Sequence, residues 1–190
     1  MRAIAICGSP RRGGNTEQLL QHCLDRLAAG GVSGSLVRLA EKRVEHCTGC
    51  AVCKETADGS CAVDGDDFAD IFQELTTADI VLVGSPVYFG SATPQLMALL
   101  DRAGYVSRAG GGLLSRKLGG PVVVARRAGQ NFTYAQLLYW FMISDMVVPG
   151  SSYWNMAFGA DPGDVQRDTE ALTTLDRFCD NLLWLANRLK

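Results

Sequence analysis

The sequence predicts a single doubly wound α/β domain, with a five-stranded parallel sheet covered by helices on both faces. Three observations carry that expectation. Strand-like and helix-like segments alternate along nearly the whole chain. Most of the strand-like ones are short continuous apolar runs, as strands covered on both faces are. No internal repeat or low-complexity linker interrupts the pattern. The 190 residues fit one domain, 1–190, large enough to bury a core without disulfide help, with a cysteine-rich insertion at about 45–65.

The first strand is AIAIC, 3–7, closed by Gly8 and Pro10. Asn15 then caps a helix, with Gln18 three residues on as in a capping box, and Leu19, Leu20, Leu24 and Leu27 supply its apolar face. GSLVRLA, 34–40, alternates enough to be an edge strand. After the cysteine segment, Asp66 or Asp67 opens a helix whose Phe68, Ile71, Phe72 and Leu75 recur at helical spacing. DIVLVGS, 79–85, is the third strand, and its unbroken apolar centre argues for a central place. Thr93 and Pro94 are a cap and first-turn pair for the helix through QLMALLDRAGYV. GPVVVARR, 120–127, is the fourth strand, FTYAQLLYWFMIS the fourth helix, and DMVVPGSS, 145–152, a short fifth strand. From about Asp164, Leu172, Leu175, Cys179, Leu182, Ala186 and Leu189 alternate steps of three and four, which marks a closing amphipathic helix.

Composition narrows the function. With 47% hydrophobic and 20% charged residues the chain reads as a soluble globular protein. Eighteen basic and 20 acidic side chains leave a net charge of -2, and no Lys or Arg run offers a nucleic-acid or membrane surface. The amino terminus has too short an apolar run for a signal peptide, and no window is long enough for a membrane span. The expected location is the cytoplasm, where thiols stay reduced. Seven cysteines is also an odd number, so complete internal pairing is impossible.

In open parallel sheets ligands bind beyond the carboxyl ends of the strands, where strand order reverses; in a 2-1-3-4-5 order that is between strands one and three. The first loop, GSPRRGGNT, lacks the Lys of a nucleoside-triphosphate loop and the spacing of a dinucleotide loop. It offers bendable glycines, the hydroxyls of Ser9 and Thr16, the Asn15 amide and a helix amino terminus, with Arg11 and Arg12 beside them. Those are the parts of a phosphate cradle, and the plainer alternative is a polar turn with an ordinary cap. The third loop, SPVYFGSATP, 85–94, sets Tyr88 and Phe89 among small residues, which suits a flat heteroaromatic ring. Together the two loops point to flavin mononucleotide (FMN).

CTGCAVCKETADGSC, 47–61, gathers four of the seven cysteines. Cys47, Cys50 and Cys53, two residues apart, can wrap one corner of a cubane, and Cys61 completes the four-thiolate ligation of a [4Fe-4S] centre. A ferredoxin run has three residues before its last Cys and then Pro; here there are seven, and Ala62 follows. Zinc also takes four thiolates, but from two knuckles well apart, so three closely spaced thiols would drop one or crowd it. An empty or labile site is the third reading. His46 reads as a solvated neighbour, and Cys7, Cys23 and Cys179 as small core hydrophobes. Because the segment follows strand two, it leaves the sheet at the edge that carries the two loops.

GSPRRGGNT, followed about seventy residues later by SPVYFGSATPQLMALLDR, resembles the NADPH-dependent FMN reductase group of flavodoxin-like proteins. The inserted cysteine segment, ARRAGQNF (125–132) and VPGSSYWN (148–155) resemble the iron-sulfur flavoproteins within that group. The resemblance implies a flavodoxin-like fold, bound FMN, a [4Fe-4S] cluster on Cys47, Cys50, Cys53 and Cys61, and a homodimer or dimer of dimers with flavin sites near subunit contacts. It further implies that Ser9, Arg11, Asn15 and Thr16 hold the phosphate, that Pro86, Val87, Tyr88, Phe89 and Gly90 line the ring, and that Arg127 and Gly129 lie nearby. The expected function is an FMN-dependent redox protein that passes electrons between a one-electron carrier and a two-electron donor or acceptor. NAD(P)H, ferredoxin and a quinone are the expected kinds of partner. The alternatives are an NAD(P)H-dependent FMN or quinone-type reductase without a functional cluster, and a non-enzymatic FMN carrier stabilised by zinc. No side chain stands out as an acid, base or nucleophile.

Overall fold

The computed structural model describes residues 1–189; Lys190, the end of the expected closing helix, lies outside them. Five strands, β1 (Arg2–Cys7), β2 (Ser33–Arg38), β3 (Ile80–Pro86), β4 (Leu118–Ala125) and β5 (Met156–Phe158), form one sheet in the order β2-β1-β3-β4-β5. Every pairing is parallel. The helices are α1 (Asn15–Ala29), the short α2 (Val52–Thr56), α3 (Phe68–Thr77), α4 (Pro94–Ala109), α5 (Gln130–Ile143) and α6 (Thr169–Arg188).

The continuous apolar strands feed two cores at once, because successive side chains point to opposite faces. Ala3, Ala5, Ile80, Leu82, Val122 and Val124 meet α1 and α6 on one face. Ile4, Ile6, Val81, Val83 and Val123 meet α3, α4 and α5 on the other. Each fully buried Leu, Ile or Phe contributes about 1.5–3 kcal/mol, so the two layers supply most of the stability. Cys7, Cys23 and Cys179 are buried in the α1/α6 layer, as small hydrophobes are.

Two local expectations are corrected. Among the described residues the stretch 145–152 pairs with the sheet only through an isolated bridge between Leu118 and Val147. Pro149 has no N–H to extend that ladder, and the fifth strand is instead Met156–Phe158, beside the far end of β4. Asn15 is not the cap of α1 but its first residue; Gly14 precedes it, and no side chain caps the helix. Among the described residues no helix is long and apolar enough to cross a membrane.

β4 also begins earlier than expected and includes Gly119, which pairs with Val81. A Cβ there would collide with the Val81 carbonyl and come within 3.1 Å of Phe141 on α5. Gly119→Ala is therefore expected to destabilise the domain by about 3 kcal/mol, read as a fall in the denaturant midpoint.

Candidate functional site

At the carboxyl ends of β1 and β3 the chain leaves a cavity of about 150 Å³. One wall is the loop into α1. The first helical bond there runs from the Gln18 N–H to the Gly14 carbonyl, so the N–H groups of Asn15, Thr16 and Glu17 precede the ladder and point out of the helix end. Ser9 and Thr16 line the cavity with them and are themselves nearly buried. The loop is braced internally: the Gly13 N–H donates to Glu17 Oε2 at 2.8 Å, and the Arg11 N–H to Ser9 Oγ at 3.2 Å.

Asn15 fastens a different segment. Its Nδ2 donates to the Asp161 carbonyl, and its Oδ1 accepts from the Gly163 N–H. Arg11 Nη1 donates to the Ala160 carbonyl. These bonds draw 159–163 over the cradle and make Gly159 and Ala160 part of the cavity wall. A Cβ on Gly8 would lie 2.9 Å from both Leu96 Cβ and Thr93 Oγ1, so glycine is needed for α4 to approach the end of β1. Thr93 Oγ1 donates to the Gly8 carbonyl at 2.8 Å and locks the start of α4 there.

The opposite wall is Pro86, Val87 and Tyr88. Tyr88 and Ser91 exchange backbone hydrogen bonds of 2.8 and 3.0 Å around Phe89 and Gly90, both with positive φ, 52° and 80°. That is a mirror-image hairpin turn, for which Asn-Gly is the favoured pair. A Phe held left-handed is strained by roughly 1–2 kcal/mol, and the Phe89 ring is fully exposed rather than turned into the cavity. Gly129 (φ 88°) packs beneath this loop, where a Cβ would meet Val87 Cγ1 at 2.9 Å. Of the basic pair after β4, Arg126 lines the cavity; Arg127 does not.

The four clustered cysteines line a second cavity of about 120 Å³, closed by Arg102, Tyr105 and Val106 of α4. Positive φ at Gly49 and Ala51 turns the chain between Cys47, Cys50 and Cys53. Cys53 and Cys61 pack against the α3/α4 core, whereas Cys50 is exposed. The Val52 N–H and the Thr48 hydroxyl pull the Cys50 thiol below its ordinary pKa and favour the thiolate. Among the described residues no group of three or more His, Cys, Asp or Glu side chains is arranged to hold a metal ion. His46 is exposed and off the cavity wall.

This cage hangs on a buried ion pair. Arg102 and Asp66 are 0% and 1% exposed in their side chains. Arg102 Nη1 donates to Asp66 and the Glu45 carbonyl, Nη2 donates to the Val63 carbonyl, and Phe68 covers the guanidinium at 4.0 Å. Asp66 also accepts from the N–H groups of Glu45 and Phe68. Burial works against the Asp66 charge, but Arg102 and those N–H donors outweigh it and hold the carboxyl below the usual range.

The cysteine segment does leave the sheet edge near the cradle, where Gln95 Nε2 donates to the Lys42 carbonyl. It then descends alongside α4, so the thiols lie beside residues 102–106 rather than at the crevice edge where their place after strand two had put them. With Thr93 at the cradle, the two cavities are separated by roughly 14–20 Å along the helix at 1.5 Å per residue. They share no lining residue. Sequence reasoning missed Arg102, Asp66 as a partner for it, and the 159–163 loop. The only signal for the last was the turn-forming run GADPGD.

Residues 1–161 match the family described as NADPH-dependent FMN reductase. An iron-sulfur flavoprotein of Methanocaldococcus jannaschii is 37% identical over 181 residues, covering 92% of this chain and 91% of that protein. An iron-sulfur flavoprotein of Methanosarcina thermophila is 30% identical over 189 residues, covering 96% and 95%. Among solved structures, RosB with a bound 8-demethyl-8-formylriboflavin-5'-phosphate intermediate superposes with a TM-score of 0.79 at 17% identity, over 100% of this chain and 80% of RosB. A flavodoxin, WrbA-like protein of Agrobacterium tumefaciens superposes with a TM-score of 0.67 at 14% identity, over 100% of this chain and 99% of that one, and these likenesses establish the flavodoxin-like fold.

Two outcomes follow from the geometry. Phe89→Asn, which tolerates positive φ, should raise stability by about 1 kcal/mol in thermal unfolding of the dilute protein. Asp66→Asn should cost about 3–5 kcal/mol at pH 7, because it leaves the Arg102 charge buried without its partner. Since the folded Asp66 pKa is depressed, its contribution is present above the ordinary carboxylate range and is lost as pH falls through the folded value. The gap between wild type and Asp66→Asn should accordingly narrow in acid.

Proposed function

The chain belongs to the NADPH-dependent FMN reductase family, and from that premise we propose that it is an FMN-dependent redox protein of the iron-sulfur flavoprotein kind. It exchanges electrons between a two-electron partner such as NAD(P)H or a quinone and a one-electron carrier such as ferredoxin. The observation that carries this reading is that Cys47, Cys50, Cys53 and Cys61 all line one cavity in a chain that also has an uncapped helix end at the β1/β3 crevice. The iron-sulfur flavoproteins to which the chain is similar support it.

The residues present fit both groups. The N–H groups at the start of α1, with the Ser9 and Thr16 hydroxyls and Arg11, suit the dianionic phosphate of FMN. Asn15 holds 159–163 across the cradle and so keeps water from its floor. Pro86, Val87 and Tyr88 would line the ring and Phe89 and Gly90 its outer edge, with Gly129 supporting the turn and Arg126 supplying positive charge beside it. Four thiols spread around one cavity, with a buried guanidinium on its wall, suit a multi-atom anionic group. Bound there, FMN supplies hydride or single-electron transfer and a [4Fe-4S] cluster supplies one electron at a time. The chain's own part is placement, charge and exclusion of water.

The separation of the two cavities along α4 favours exchange across a contact between copies, in a homodimer or a dimer of dimers. Phe132, Tyr139, Met142 and Ile143 on α5 and Tyr105 on α4 are exposed apolar residues of the kind such contacts cover. A reducing compartment such as the cytoplasm keeps the thiols available.

Anaerobic purification followed by an absorbance spectrum and iron, sulfide, zinc and FMN analysis tests the reading. About four irons, four sulfides and one FMN per chain are expected. FMN without iron, together with rapid NAD(P)H oxidation, would favour a cluster-free reductase instead; zinc without turnover would overturn both.

A further inference from the structure

Arg102 sits on the buried side of α4 among Leu99, Leu100, Ala103 and Val106, where a helix of this kind ordinarily carries an aliphatic residue. It is among the largest fully buried side chains in the protein. A guanidinium is expensive to bury unless its charge is matched and its N–H groups are bonded, and as a mere anchor for the cysteine segment an apolar residue would be cheaper. Two observations go beyond anchoring. Arg102 Nε is buried and has no hydrogen-bond partner among the described residues. The same side chain lines the cavity that all four cysteines line.

We propose that Arg102 is a positioning residue for the cysteine cage: Asp66 and two carbonyls fix its guanidinium so that Nε–H serves a sulfur of the cage and the positive charge faces the anionic four-thiolate group. The inference rests on the reading that this cage holds an iron-sulfur cluster. Two details support it. Phe68 seals one face of the guanidinium and the Nη atoms are engaged by Asp66, Glu45 and Val63, which leaves the Nε edge to the cavity. Asp66 ties the pair to Glu45 before the cysteines and Phe68 after them, so one interaction sets both ends of the segment.

A four-thiolate cluster is anionic and gains one negative charge on accepting an electron, with no bond made or broken. A fixed cation and a donor to a ligand sulfur stabilise the reduced form more than the oxidised one and raise the potential. Lys54, another cation on the cavity wall, is exposed and lies over the Tyr105 ring at 5.6 Å, so solvent screens it.

Arg102→Lys replaces Nε with a methylene while keeping a cation that reaches Asp66. In protein purified anaerobically, with folding checked by circular dichroism and FMN content, the variant should show a cluster potential lower than wild type in a titration followed by electron paramagnetic resonance. It should also lose iron to a chelator about tenfold faster. Lys54→Gln should move the potential less. Arg102→Met combined with Asp66→Asn removes both charges and should lower the potential in the same sense if the lysine variant does not fold. Wild-type protein grown on Nε-¹⁵N arginine should show a nitrogen coupled to the reduced cluster, which needs no variant. A loaded wild type with no such coupling, or a folded Arg102→Lys with unchanged potential and iron retention, overturns the inference alone. A wild type that holds no cluster under anaerobic handling overturns the reading beneath it.

Discussion

A guanidinium buried midway along α4 has to be neutralised, and the way the chain meets that demand arranges everything on that side of the sheet. Asp66, at the entrance to α3, supplies the charge and also accepts from Glu45 and Phe68, so α3, α4 and both ends of the cysteine segment meet at one carboxylate. The thiols cannot follow the crevice edge, because their loop is drawn down to Arg102. What would otherwise be an irregular excursion after β2 becomes a cage with an inner wall made of helix.

The same helix organises the other half of the molecule. Its first turn is locked to the end of β1 through Thr93 and Gly8, where the reversal of strand order opens the crevice. α4 therefore separates the crevice cavity at its start from the cysteine-lined cavity at its middle. The spacing keeps two linings of different chemistry apart. The cradle offers backbone N–H groups at a helix end, and the cage offers sulfur ligands over a buried cation. The left-handed, fully exposed Phe89 stands beside the crevice cavity, and backbone strain of this kind gathers at ligand sites.

Much of this was legible in the sequence for a simple physical reason: strands buried on both faces must be continuously apolar, and helices on a sheet must repeat every three or four residues. The layers of core side chains follow from those periods and the parallel pairing from the alternation of strand and helix, whereas the sheet order came from the resemblance to flavodoxin-like proteins. β5 was misplaced because a three-residue strand carries no period, while 145–152 had the apolar residues but also Pro149. Asn15 looked like a cap because its natural partners, Asp161 and Gly163, lie almost 150 residues away. Arg102 gave no signal at all, since a charge on a helix reads as a solvent-facing residue until its acid is located. The descent of the cysteines along α4 was hidden with it.

The central claim is that one chain carries two redox centres, and counting electrons tests it most directly. Anaerobic protein titrated with dithionite, followed by flavin and iron-sulfur absorbance, should take up about three reducing equivalents per chain, two into FMN and one into the cluster. Uptake that stops at about two, with the flavin fully bleached and no further spectral change, would contradict it.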